Sequence, residues 1–573
     1  MHLRLPEETA YLTMGMLFGD TENIDEDTET AFRKNGTSHI LSVSGLHVAL
    51  VYLCVQRMLR GRRSTGASLA TLGLLFVYAA ASQFSPSVVR AVAMIAMHIT
   101  ATRLHLNYDM LCAAATTALA SLLYRPYLLF NTGFQLSYLA IFSLAVIANA
   151  LGRRYNGIFL SGIAVQIGML PATVYLFNYF SPVSLLANLP VIFISGWIIP
   201  AGLLEMGVFA LGSEHLFAIG SILIEMMNKA MVFSNEIFYN EGLYVCNAVS
   251  PPVFALILYY AAVFLGLSES MLIAYKRRNI KKIALAATVA LLCAGFGHAV
   301  CASGFERAEL IFVDVGQGDC LHIKSENGKN ILIDGGGSIN YDVGEKVLLP
   351  YLLKNGVSRI DYAFVTHLHT DHYAGLKSLA RAGMIQKLFL YEANRLDEAR
   401  ILAETGLQRD DLIWLSAGMR VRIGEDTEIE VLSPARASER EYREMRAGED
   451  ENAISLVMRV TKNGMRVLMT GDIDAACEKA LIAAVPDKVR VDILKAAHHG
   501  SRSGNCAEML AAAAPGCVVV QVGKNNYGHP HKTVIENCRK NGIMVYRNDE
   551  DGAIGVKEIR RGRGEIITVL RKE

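Results

Sequence analysis

The chain has 573 residues, 52% of them hydrophobic and 19% charged, with a formal net charge of +1. That length exceeds one ordinary core, and the apolar excess excludes a wholly water-soluble chain. Residues 1–304 hold 15 acidic and 18 basic side chains while residues 305–573 hold 39 and 37, so a lipid-facing part precedes a soluble part that is not basic. Affinity for nucleic acid in the second part must rest on local patches.

Residues 1–38 lack the basic-then-apolar build of a cleaved signal peptide, and Asp20–Glu29 is acidic. They are expected as a segment outside the membrane. A polytopic domain is predicted over 39–303, with about ten apolar runs near 40–59, 68–84, 87–104, 110–124, 134–150, 158–177, 183–212, 216–232, 253–275 and 283–302. Crossing the hydrocarbon core takes roughly 17–25 residues, so the shorter runs are marginal. No acidic residue occurs between Met110 and Leu204, which a water-soluble domain of that length seldom shows.

Basic loops favour the cytoplasmic face. Arg57, Arg60, Arg62 and Arg63 follow the first run, Arg153 and Arg154 the fifth, and Lys276, Arg277, Arg278, Lys281 and Lys282 the ninth. Placing all three clusters inside puts everything after about residue 303 on the exterior face of the cell membrane. Polar groups within the runs cost several kcal/mol each without partners. His47, Arg90, Gln135, Gln166 and Asn188 lie in such runs, several beside Gly or Pro, and are expected to line an interior pathway. Each alone is also explained by a helix–helix hydrogen bond.

From Leu310 onward short β-rich runs alternate with turns and helices, which predicts an exterior α/β domain over 304–573. The run IDYAFVTH leads into THLHTDH, so His367, His369, Asp371 and His372 fall on a loop leaving a buried strand. Four such groups within six residues need partners that a divalent ion supplies together. Alternation turns His367 and His369 toward one ion and Asp371 and His372 toward another. Asp472 in LMTGD can bridge the two.

The stretch ILKAAHHGS offers Lys495, His498 and His499, and YGHPH offers His529 and His531. Among the late histidines His498 is the first choice as ligand and His529 the second. His499 and His531 are candidates to assist the ligands or face substrate, and Asp371, Lys495 and His499 are the candidate catalytic groups. DVGQGD places Asp314 and Asp319 on a glycine turn that is either a plain hairpin or a support for the site. The donor set mixes nitrogen and oxygen without thiolate, so one or two Zn²⁺ or Mn²⁺ ions are plausible. Six cysteines fall at or beyond the last apolar run, which permits disulfides without fixing any pairing.

With the strand–Asp334–Gly–Gly turn upstream, the HxHxDH motif, the later Gly–Asp and a final histidine, residues 308–560 resemble the metallo-β-lactamase fold. That resemblance implies an αββα sandwich in which a metal-activated water attacks an ester, amide or phosphodiester. One departure is plain: no histidine lies between His372 and His498, so the third histidine usual for the first metal is missing.

Both parts together resemble the ComEC family of DNA-internalisation competence proteins. The membrane motifs are GTSHILSVSGLHVAL, FSPSVVRA, LLFNTGFQLSYLA and VQIGMLPATVYLFNYFSPVSLLANLP, and the soluble ones include DVGQGD, THLHTDH, ENAISLV and LKAAHHGS. Many relatives carry Asp in place of His369. The resemblance implies a channel that takes up transforming DNA as a single strand, with an exterior nuclease degrading the other strand. Double-stranded DNA outside, the lipid bilayer, a DNA receptor and a separate cytoplasmic ATPase or helicase are the implied partners, since the chain has no GxxxxGK[ST] phosphate loop. Two alternatives fit the same motifs: a transporter whose exterior domain only binds, and a membrane-tethered phosphodiesterase.

Overall fold

A computed structural model describes residues 5–59, 64–152, 159–210, 214–239, 245–267, 269–301, 308–436, 440, 443 and 451–570. Arg60, Arg62, Arg63, Arg153 and Arg154 lie outside the described residues, as does the junction at 303–304. The chain divides into two compact units, Met1–Val300 and Cys301–Glu573.

The first unit is helical. Short polar side chains start its helices by accepting backbone N–H groups: Asp109 from Cys112 at 2.7 Å, Asn131 from Phe134 at 2.9 Å, and Ser64 from Ala67 at 3.2 Å. Among the described residues three helices are long and apolar enough to cross a membrane, Thr132–Gly152, Leu160–Phe177 and Ser184–Phe209. Gly45–Met58, Thr65–Ala81, Met110–Tyr124 and Val253–Leu267 are apolar but shorter. These helices, of 14 to 17 residues, lie at or below the lower end of the length that a bilayer core demands. Helix Glu214–Tyr239 also carries Glu225, Lys229 and Glu236. Large apolar side chains such as Phe76, Leu123, Phe193, Trp197 and Leu204 face outward, as lipid contact requires.

Residues 7–32 contribute to the core of this unit. Helix Glu7–Phe18 and Phe32 bury Leu12, Met16 and Phe32 against Val191, Ile198 and Met231. Two short strands, β1 (Tyr179–Phe180) and β2 (Cys246–Asn247), pair antiparallel.

The second unit is a two-sheet sandwich. One sheet takes strands β3 (Ala308–Phe312), β4 (Leu321–Lys324), β5 (Asn330–Ile333), β6 (Ile360–Phe364), β7 (Ile385–Tyr391), β8 (Leu412–Leu415), β16 (Ile554–Arg560) and β17 (Arg563–Thr568) in the order β17-β16-β3-β4-β5-β6-β7-β8. The other takes β9 (Arg420–Ile423), β10 (Thr427–Ser433), β11 (Val457–Lys462), β12 (Met465–Met469), β13 (Ile493–Lys495), β14 (Cys517–Val520) and β15 (Met544–Arg547) in the order β15-β14-β13-β12-β11-β10-β9. Inward residues of both sheets, including Leu310, Phe312, Phe364, Ile429, Met458 and Val467, form one buried core. Helices such as Ala475–Ala484 and Ala507–Ala513 bury Leu481 and Leu510 against the outer face of the second sheet. This is the αββα arrangement that the motifs imply. Cys320, Cys477, Cys506, Cys517 and Cys538 are free thiols.

Candidate functional site

The candidate centre lies where five strands end. Strand β6 runs into Thr366 and His367, and helix Thr370–Arg381 begins one turn later with Asp371 and His372 in its first turn. Strand β5 ends on Asp334, β12 on Thr470–Asp472, and β13 on the two histidines His498 and His499. Strand β3 enters the DVGQGD turn, which is both a hairpin and a wall of the site. Gly318 takes a φ of 127°, and a Cβ there would collide with the Asp371 carbonyl oxygen. Glycine thus lets Asp319 approach closely enough for its N–H to donate to that same oxygen at 3.2 Å.

Two groups of side chains converge, Asp371–His372–Asp472–His499 and Asp319–Asp334–His372. Hydrogen bonds fix the histidines. The buried Asp334 carboxylate accepts from Thr366 N at 2.8 Å and Thr366 Oγ1 at 2.7 Å, and from His372 Nδ1 at 2.9 Å. With its proton given to Asp334, the Thr366 hydroxyl accepts from His367 Nδ1 at 3.1 Å. His499 Nδ1 donates to the Gln521 carbonyl at 2.9 Å. Each imidazole thereby holds its proton on Nδ1 and presents an Nε2 lone pair.

Those lone pairs face acceptors. His372 Nε2 lies 3.2 Å from Asp472 Oδ1. His499 Nε2 lies 3.2 Å from Asp371 Oδ2 and 3.3 Å from Asp472 Oδ2. His367 Nε2 is buried and has no hydrogen-bond partner. Acceptor against acceptor in a buried place requires a cation between them, so the donor set fits a divalent ion. Without one, protons take that role. Burial opposes charge on His372, but Asp472, Asp334 and Asp319 outweigh it and push the imidazole up to about 10. Burial likewise opposes charge on His499, and Asp472 and Asp319 raise it well above the usual range. The Asp371 carboxyl, though partly desolvated, is held far below the usual range by His499 and His372.

Lys495 is fully buried, with its ammonium in a close ion pair with Asp319, 3.5 Å from Asp472 Oδ1 and donating to the Gly471 carbonyl at 2.9 Å. Having no face toward solvent, it holds Asp319 and the Asp472 loop in place rather than reaching a substrate. The sequence alone places it among the candidate catalytic groups.

The late histidines separate sharply. His498 is 31% exposed and lies 3.8 Å from Asp472 Oδ2, whereas His499 is buried in the centre. The expected first choice is His498, and the structure brings His499 into the converging group: both residues take left-handed backbone, with φ of 48° and 52°, and the turn sends His499 inward. His529 sits beyond His498, ring centroids 5.6 Å apart, and is absent from both converging groups. His531 accepts from Thr533 N as the cap of helix Lys532–Lys540. Asp314 is exposed on its turn and accepts from Gly316 N at 3.1 Å. His369 is 45% exposed and faces Glu451, Nε2 to Oε2 3.9 Å.

In the helical unit the polar residues form small groups. His47 caps its own helix through Ser44 N at 2.9 Å, and buried Arg90 stacks over Tyr138 at 5.1 Å. Gln166 bonds Ser184, and Asn188 donates to the Ser184 carbonyl at 2.7 Å. Gln135 is exposed and donates to the nearby Leu129 carbonyl at 2.8 Å, and among the described residues no hydrogen bond or ring contact joins it to the others. Sequence reasoning missed a further set: Asn35 and Thr37 bond Asn235, and Asn228 bonds Thr13, all buried. Their partners lie about 200 residues away, so no local pattern marks them.

Residues 16–272 match the family model "Competence protein", and residues 313–390 match "Metallo-beta-lactamase superfamily". The chain is 26% identical over 96% of its length to "ComE operon protein 3" of Bacillus subtilis, covering 71% of that protein. It is 27% identical over 94% of its length to "Competence protein ComA" of Neisseria gonorrhoeae, covering 72% of it. Against "Recombination protein 2" of Haemophilus influenzae the figures are 24%, 95% and 71%.

Proposed function

Starting from a chain that joins a competence-protein domain to a metallo-β-lactamase-superfamily domain, we propose that it takes up DNA across the cell membrane as a single strand. The metallo-β-lactamase-like domain is then a metal-dependent nuclease that degrades the other strand. The observation that carries the second half is the convergence of Asp371, His372, Asp472 and His499 on one buried point. His367, His372 and His499 would hold the ions together with Asp371 and Asp472. When bound, divalent ions acidify water and neutralise charge growing on a phosphoryl oxygen. Asp334 and the Gln521 carbonyl keep the imidazole protons on Nδ1, and Lys495 with Asp319 fixes the Asp472 loop.

The outward apolar helices and buried polar groups of the first unit support a conduit within a bilayer, and the basic loops support an exterior position for the nuclease. A separate DNA receptor and a cytoplasmic ATPase or helicase complete this reading. A transporter with a purely binding exterior domain is the competing reading, favoured by the missing midway histidine.

The test uses the purified full chain in detergent with Mn²⁺ or Zn²⁺. Nicking of plasmid DNA that disappears in Asp371→Ala and His372→Ala supports the nuclease, while equal nicking by both variants and the wild type sinks it. Uptake of labelled DNA by a transformable host, lost on Arg90→Ala with the protein still in the membrane, tests the conduit.

A further inference from the structure

Residues 523–531 form a loop beside the candidate centre that the proposed chemistry leaves unused. We infer that its Tyr527 stacks on a base of an unpaired DNA strand whose backbone passes the centre, so that the strand presented for cleavage is single. The inference rests on the reading of this unit as one that acts on DNA.

Tyr527 is 77% exposed, and its ring begins a row that leads inward. Centroid to centroid, Tyr527 to His529 is 6.0 Å, His529 to His498 is 5.6 Å, and His498 to the buried His499 is 6.2 Å. His498 Nε2 stands 3.8 Å from Asp472 Oδ2, at the edge of the converging group. The loop is held in place. The Asn525 side chain accepts from Tyr527 N and His529 N, each at 3.1 Å, and donates to the Gly523 and His529 carbonyls at 2.9 and 2.8 Å. Both ends are tied to walls of the centre: Gly523 N donates to Gln317 Oε1 at 3.3 Å, and His531 N to the Gly500 carbonyl at 2.9 Å. A Cβ at Gly523 would collide with the Gly316 backbone, so glycine lets the loop close on the DVGQGD turn. A ring carried on a backbone fixed in this way loses little freedom when a flat partner covers it.

Charge and shape choose that partner. Residues 498–505 and 522–534 carry Arg502, Lys524 and Lys532 and no acidic residue, in a unit with 39 acidic and 37 basic side chains. All three cations are exposed, a local patch suited to the phosphates of a strand. Every base has a π-face, so stacking on an aromatic ring tolerates any sequence, as degradation of incoming DNA demands. Within a duplex both faces of a base are covered by its neighbours, so only an unpaired base reaches Tyr527.

Photo-crosslinking tests this without metal or turnover. A single-stranded oligonucleotide carrying iodouracil is irradiated with the full chain in detergent and EDTA, and the crosslinked peptide is mapped by mass spectrometry. The expected crosslink is at Tyr527, and at least about tenfold weaker with the same oligonucleotide in a duplex. Crosslinks that fall only outside residues 523–531 overturn the inference. With Mn²⁺ present, Tyr527→Ala should lower kcat/KM for the single strand at least about tenfold, mostly through KM, while Tyr527→Phe stays within about twofold of wild type. On an oligonucleotide of abasic residues Tyr527→Ala should match wild type within about twofold. An equal loss on both oligonucleotides overturns stacking in favour of a structural role. Crosslinking at Tyr527 in a wild-type chain that cuts nothing upholds the contact with an unpaired strand and sinks the nuclease reading alone.

Discussion

His499 Nε2 lies 3.2 Å from Asp371 Oδ2, joining two residues 128 positions apart in the chain. The contact closes the candidate centre, because the same nitrogen lies 3.3 Å from Asp472 Oδ2. Neighbouring His498 stays part-exposed at its edge, Nε2 3.8 Å from the same Asp472 oxygen, and this difference can be measured.

His499→Ala in the full chain is expected to weaken Mn²⁺ or Zn²⁺ binding by at least about 100-fold, since it removes a donor rather than a supporting group. His498→Ala should change affinity by less than about tenfold. Titration calorimetry on both variants checks the assignment, and equal losses would contradict it.

Asp334 touches His372 and Thr366 but projects its carboxylate behind them. Asp334→Asn therefore turns one of its two acceptor oxygens into a donor, so that either Thr366 N, or the Thr366 hydroxyl together with His372 Nδ1, loses its acceptor. Metal affinity should fall about 10- to 100-fold, with secondary structure by circular dichroism unchanged.

Lys495 and Asp319 are buried together, so removing one charge strands the other. Lys495→Met is expected to destabilise the second unit by about 3–5 kcal/mol, and the double variant Lys495→Met/Asp319→Leu should regain much of that loss. Denaturant unfolding followed by Trp414 fluorescence in a Trp197→Phe background reads this unit alone. Additive losses in the double variant would show that the two charges act independently.

Glu430 gives a pH-dependent test away from the centre. Burial opposes its charge, but Lys488 at 2.8 Å, Arg420 at 2.9 Å and Arg459 at 2.6 Å hold the carboxyl below its ordinary 4.5. A depressed carboxyl stabilises the fold above the unfolded value and loses that contribution as pH falls through the folded one. Glu430→Gln should cost about 2 kcal/mol at pH 7. The difference from wild type should shrink below 4.5. A gap independent of pH would assign the loss to packing.

Local spacing made the outline of the centre legible. The sequence THLHTDH carries four donors on one strand exit, and LMTGD repeats the strand–turn–carboxylate pattern, because a donor following a buried strand is positioned by only a few bonds. Hydropathy and the lack of acidic residues between Met110 and Leu204 likewise marked the lipid-facing unit, since a bilayer acts on composition along the chain. Length was less legible: apolar runs became helices whose ends were set by caps such as Asp109 and Asn131.

What only the tertiary structure decided were choices between equivalent local signals. His498 and His499 are adjacent and chemically alike, and a left-handed turn alone sends one inward. Lys495 reads as a reactive amine in sequence, yet packing seals it against Asp319. Asn35 meets Asn235 across 200 residues, and Glu451 comes within 3.9 Å of His369 from a segment far along the chain. The sequence by itself determined which donors exist and which strands deliver them; long-range packing determined which lone pairs face one another, because that depends on the approach of segments no local pattern relates.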